Sequence, residues 1–131
     1  MHARASWVLR MIGMGIDAVD ITRFSRTLSR SPRMAERIFT DGEREFAARR
    51  ADASAVLAAR FAVREAAMKA LGVGLGAFDF HDVSVVSESS GRPSLLVQGR
   101  AAELARQQGV SSWHVSVSHT DDLAVAVVAA E

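Results

Sequence analysis

The 131-residue chain contains no cysteine, which excludes disulfide frameworks, thiolate zinc sites and cysteine nucleophiles at once. A reducing compartment fits, and a cytoplasmic location is the expectation. Nor does any apolar run approach the ~20 residues needed to span a bilayer, because Asp17, Asp20 and Arg23 cut off the first candidate and the C-terminal run is short. Arg10 interrupts the apolar patch at Trp7, Val8 and Leu9, and no small-residue cleavage site follows it. No export signal is read there, and a soluble protein is expected. Lysine is almost missing: of sixteen basic residues, fifteen are arginine and one, Lys69, is lysine. The net charge of +1 provides no global field from which to argue nucleic-acid binding. The chain has no serine nucleophile elbow, Walker loop, His-Glu-x-x-His or Gly-x-Gly-x-x-Gly opening a helix, which removes the enzyme classes those motifs carry.

What remains is an ordinary globular balance, 49% hydrophobic and 24% charged, in a length that suits one domain. Residues 11–16 read as an apolar strand with Gly13 and Gly15 permitting close backbone approach. Asp17 is expected to end it, either as the N-cap of a helix over about 18–29 or as a side chain projecting into a cleft. Ser31-Pro32 breaks that helix; a short one follows over 33–39, and Thr40 caps a third through Phe46. Residues 55–71 are rich in alanine and free of proline and glycine, the strongest helix signal in the chain. Gly72 closes this helix, and Gly72-Val73-Gly74-Leu75-Gly76 reads as a mobile loop or a backbone surface for a ligand. Strands are expected over 81–87, 94–97, 112–119 and 123–129, with a helix over 101–108 that ends at Gly109. The run 123–129 is nearly continuous in apolar residues, as in a strand buried on both faces. The expected fold class is α+β, an antiparallel sheet packed on one long helix.

On the long helix Phe61, Glu65 and Lys69 recur at i, i+4 and i+8, flanked by Ala58, Ala62 and Met68, which places a carboxylate beside an apolar face. Such a pair is either an ordinary surface contact or half of a site. Asp17, if it enters the same cleft, adds a second carboxylate with no nitrogen or sulfur ligand, a donor set suited to a hard cation such as Mg²⁺. Lys69 would then meet phosphate charge as a compact cation, which arginine does less well. His119 shares the parity of Trp113, Val115 and Val117 and should face the core side at the sheet's rim, in a structural or a functional role. His114 has the opposite parity and should be exposed.

Taken in order, Gly15-Ile16-Asp17, the stretch 59–72 (ARFAVREAAMKALG), Gly91-Arg92-Pro93 and His114-Val115-Ser116-Val117-Ser118-His119 resemble the holo-acyl-carrier-protein synthases, the short class of 4'-phosphopantetheinyl transferases. The resemblance runs from about residue 11 to the end. It implies a 4'-phosphopantetheinyl transferase-like fold in residues 11–131, with residues 1–10 an extension or tag. It also implies transfer of 4'-phosphopantetheine from coenzyme A to a serine of apo acyl carrier protein, releasing adenosine 3',5'-bisphosphate, in support of fatty acid biosynthesis. Asp17 and Glu65 fall where the family binds Mg²⁺, and Lys69 where it stabilises the pyrophosphate. Either Glu65 or a metal-bound water would take the serine proton. Arg60, Gly72, Gly74 and His119 fall at coenzyme A positions, His119 reaching a site on a neighbouring chain of a homotrimer.

Between Ile21 and Ala35 stand four arginines and no acidic residue. The resemblance gives Arg23, Arg33 and Arg37 to docking of the acidic carrier protein; otherwise they form a solvated helix face. Arg64 stands where the family usually has lysine, and Val73 where it commonly has threonine. Two readings compete with catalysis: a non-catalytic coenzyme A or carrier-protein binding module of the same fold, and a nucleic-acid binder. Two metal carboxylates speak against the first. The short, aromatic-poor patch, offset by Asp41, Glu43 and Glu45, speaks against the second.

Overall fold

The structure, a computed structural model, describes residues 10–131; all of the supposed extension but Arg10 lies outside the described residues. In chain order the described residues form β1 (Gly13–Asp20), α1 (Ile21–Arg30), α2 (Pro32–Ile38), α3 (Asp41–Ala48) and α4 (Ala53–Ala70). After a 3₁₀ turn at Phe80–Asp82 come β2 (Val83–Ser87), β3 (Pro93–Val97), α5 (Gly99–Gln108), β4 (Trp113–His119) and β5 (Leu123–Ala130). The α+β class is as expected. The strands, however, form two antiparallel sheets, a three-stranded one in the order β1-β5-β4 and a separate β2-β3 hairpin.

Asp17 does not end the first strand. β1 continues to Asp20, pairing Asp17 with Ala126 and Asp20 with Leu123 of β5. The N-cap of α1 is Asp20, whose carboxylate accepts from the Arg23 amide at 2.8 Å. The same residue type three positions along satisfies the orphan amide, because sheet pairing outweighs the local turn preference of 17–20. Asp17 is thereby left free of capping. α3 opens as expected, with a reciprocal capping box between Thr40 and Glu43.

α4 spans 18 residues and buries a face of small side chains, among them Ala62, Ala66 and Ala70. Against it stand Ala126, Val128 and Ala130 of β5, with Val83 and Val85 of β2 in the same core. A second cluster joins Phe24, Ile38 and Phe39 to Ala55, Ala58 and Ala59 at the other end of α4. The tightest seam is with β1. A side chain at Gly13 or Gly15 would collide with the Ala70 or Ala66 carbonyl oxygen, so glycine is what lets strand and helix backbones touch.

β5 alternates: Ala124, Ala126, Val128 and Ala130 are buried, whereas Val125, Val127 and Ala129 are only half-buried. The expectation of burial on both faces fails because α4 covers only one side of the sheet. On the uncovered side Met14 and Ile16 of β1 are each 60% exposed.

Replacing Gly15 with alanine should cost at least about 2 kcal/mol, since the collision is with backbone and cannot be relieved by a side-chain rotation. A urea denaturation curve with unchanged slope and a lower midpoint would register it.

Candidate active site

Along β1, Gly13, Gly15 and Asp17 point to the same face of the sheet, towards α4. The two glycines let α4 settle onto the strand, and Asp17 is the first side chain beyond them. It meets Lys69, whose ammonium donates to the Ile16 carbonyl at 2.9 Å and to Asp17 Oδ1 at 3.3 Å. Lys69 remains 55% exposed at its side chain, so its third donor is open to solvent. Glu65, one helical turn earlier, opens on the same groove as Asp17. Partial burial pushes its carboxyl above the usual range and the charge of Asp17 adds to this, while Lys69 opposes it. Two carboxylates at an open cleft, with the charge of Asp17 raising the proton affinity of Glu65, are an oxygen donor set suited to a hard divalent cation. Among the described residues no cluster of three or more metal-capable side chains exists, so such a cation would take its remaining ligands from water or substrate.

The groove has a volume of about 800 Å³ and is walled by Phe24, Phe61 and Phe80. Phe61 stacks on Phe24 at 5.0 Å between centroids and tilts against Phe80 at 6.0 Å. Arg23 and Arg37 also line it, while Arg33 lies with Arg37 on a neighbouring shallow depression at Ser31 and Pro32. Leu75, rather than Gly72 or Gly74, reaches the groove from the loop after α4.

Arg60 and His119 do not join this groove. They line a second, smaller pocket of about 200 Å³ with Arg50 and the hairpin residues Gly91 and Pro93. His119 is on the α4 side of the sheet, as its parity required, and its Nε2 lies 3.5 Å from Asp52. The Arg60 guanidinium lies 4.5 Å over the Phe46 ring, and among the described residues no carboxylate is within ion-pair distance of it. The described residues thus form two separate pockets, one with Asp17 and Glu65 and the other with Arg60 and His119.

A family model of the 4'-phosphopantetheinyl transferase superfamily matches residues 13–128. The holo-[acyl-carrier-protein] synthase of Kocuria rhizophila is 47% identical over 121 residues, 92% of this chain and 93% of that protein. This chain belongs to the holo-acyl-carrier-protein synthase family. The synthase of Frankia alni is 43% identical over 94% of this chain and 99% of its own length. Among solved structures of the family, that from Neisseria meningitidis superimposes with a TM-score of 0.84 at 30% identity, covering 93% of this chain and 99% of that one. The Helicobacter pylori synthase in complex with coenzyme A gives 0.79 at 29% identity, covering 90% and 99%.

Sequence reasoning missed the aromatic wall beyond Phe61 and the burial of Glu43, which had been read as a surface charge. Glu43 is 2% exposed and bound to Arg64, which is wholly buried. Burial alone would raise its carboxyl, but the hydrogen bond and charge of Arg64, with the Thr40 and Val85 amides, hold it below the usual range. The capping box was a signal for an inward Glu43, since a glutamate folded back on its own N-cap is already half removed from solvent.

The raised carboxyl of Glu65 has a consequence for stability. A group whose folded pKa exceeds its unfolded one disfavours the folded state increasingly as pH rises through that interval. Glu65→Gln should therefore raise the thermal midpoint of the metal-free protein at pH 7, with the gain vanishing at about pH 3, well below the ordinary glutamate range, where Glu65 is protonated in both states. Melting curves at the two pH values check this.

Proposed function

We propose that the chain transfers the 4'-phosphopantetheine group of coenzyme A to a serine of apo acyl carrier protein, giving holo acyl carrier protein and adenosine 3',5'-bisphosphate. The observation that carries this is that Asp17 and Glu65 line one groove, with Lys69 paired to Asp17, in a chain of this family. Mg²⁺ bound by Asp17 and Glu65 would neutralise pyrophosphate charge and orient the β-phosphate. The serine oxygen attacks the β-phosphorus, the bond to the bridging oxygen breaks, and the departing bisphosphate carries away that oxygen. Glu65, or a water held beside it, accepts the serine proton. Lys69, held by Ile16 and Asp17, offsets the charge that grows on the departing oxygen.

Arg60 and His119 serve the nucleotide phosphates, with Gly72 and Gly74 giving the loop beside the cofactor its freedom. Arg23, Arg33 and Arg37 receive the acidic carrier protein at the groove's rim. The uncovered apolar face of Met14, Ile16, Val125 and Val127 supports assembly as a homotrimer, in which the Arg60/His119 pocket of one chain completes the groove of the next. Residues 11–131 form one transferase domain on this reading. No helix of the described residues is long and apolar enough to cross a membrane, and we place the reaction in the cytoplasm, with fatty acid biosynthesis as its context.

Incubation with coenzyme A, Mg²⁺ and an apo carrier protein should yield the phosphopantetheine adduct by mass spectrometry. Chelation should stop the reaction and added Mg²⁺ restore it. Glu65→Gln should lower turnover at least about a hundredfold while light scattering still reports the assembly of the parent. Near-normal turnover in that variant would sink the assignment, and cofactor binding without adduct would leave only a binding module.

A further inference from the structure

Arg64 and Glu65 are neighbours on α4, about 100° apart around the helix, so they serve opposite surroundings. Glu65 opens on the groove, and Arg64 turns wholly inward. Every arm of its guanidinium is engaged. Nη1 and Nη2 donate to Glu43 Oε2 and Oε1 at 3.0 and 2.6 Å, Nε donates to the Phe80 carbonyl at 2.8 Å, and Nη1 also reaches the Arg60 carbonyl at 3.3 Å. Glu43 in turn accepts from the Val85 amide at 3.1 Å and the Thr40 amide at 3.0 Å.

The backbone groups held in this way belong to the walls of both pockets. Phe80 lines the groove and meets Phe61, while Arg60 and Val85 line the pocket that contains His119. A buried ion pair is a weak source of net stability, and apolar residues of similar volume often replace one without loss. Stability alone gives little reason for a bidentate pair at this position. Directional bonds to four backbone groups, the Phe80 and Arg60 carbonyls and the Val85 and Thr40 amides, do something that apolar packing cannot: they fix registration.

We propose that the Arg64–Glu43 pair is a positioning device for the transfer reaction. It holds Phe80 and Val85 in register with α4, so that the groove wall and the Arg60/His119 pocket keep their alignment to Glu65 and Lys69. Neither residue touches substrate. Their effect falls on the geometry of the reacting phosphate, which governs kcat, and not on the outer contacts that set substrate binding. This rests on the transfer activity proposed above.

The test is the paired replacement Arg64→Met with Glu43→Leu, which removes both charges together and leaves no ion unpaired. The expected result is a thermal midpoint close to that of the parent and a kcat at least tenfold lower. The KM values for coenzyme A and for the carrier protein should each stay within threefold. A folded double variant with the parent's kcat overturns the proposal, as does one whose loss is wholly in KM. Should the double variant not fold, Arg64→Gln decides: it keeps a donor for Glu43 but neither the charge nor the fork that also reaches Phe80. Assayed well below its own midpoint, it should lose at least fivefold in kcat, and the parent's kcat there overturns the proposal. Amide exchange over residues 80–85 gives a readout without turnover. It should rise in whichever variant folds, and unchanged protection overturns the proposal. Absence of turnover in the parent itself would refute the assigned reaction, and the pair would then stand or fall on the exchange result.

Discussion

The contact on which the rest of the molecule depends is the one between β1 and α4 in which neither side contributes a side chain of any size. Gly13 and Gly15 bring the strand backbone against the Ala70 and Ala66 carbonyls, closer than any residue with a Cβ could come. This seam aligns the edge of the three-stranded sheet with the helix that carries Glu65 and Lys69. It also decides where Asp17 emerges, since strand alternation puts it on the same face immediately beyond the two glycines. The meeting of Asp17 with Lys69 is therefore a by-product of packing: two backbones in contact, then the first side chains on either side of the point where they diverge.

Much of this was legible in the chain. The alanine-rich stretch marked α4, the capping box marked α3, and Gly109 closes α5 in the left-handed conformation expected of it. The role of Asp17 was ambiguous locally, because an N-cap and a cleft carboxylate look alike in sequence. Only the pairing of Asp17 with Ala126 and the capping of α1 by Asp20 separated the two. The division of the strands into two sheets was not readable either. The apolar patterning marks the strands, and nothing in it says which edges meet.

For the site, the i, i+4 relation of Glu65 and Lys69 was visible, and their approach to Asp17 was not, since more than fifty residues of intervening chain have to be folded first. The aromatic wall escaped for the same reason: Phe24, Phe61 and Phe80 come from three elements and become neighbours only through packing. Glu43 shows the opposite failure, a charge counted with the surface acids that offset the arginine patch, whereas it is buried against Arg64. A buried guanidinium needs a partner of this kind, and a search for one would have led from Arg64 to an acidic residue elsewhere.

The glycine–alanine seam also makes the chain's tolerance of change uneven. At the exposed sheet face a methyl group more or less alters a surface, and descendants of this sequence can vary there as long as the face stays apolar. At Gly13 and Gly15 a single added carbon would meet the backbone of α4 and push the helix away, and with it the spacing of the carboxylates. Mutational drift in such a protein is confined by geometry at the seam long before it is confined by chemistry at the groove. The most constrained positions are then those with the least chemistry of their own.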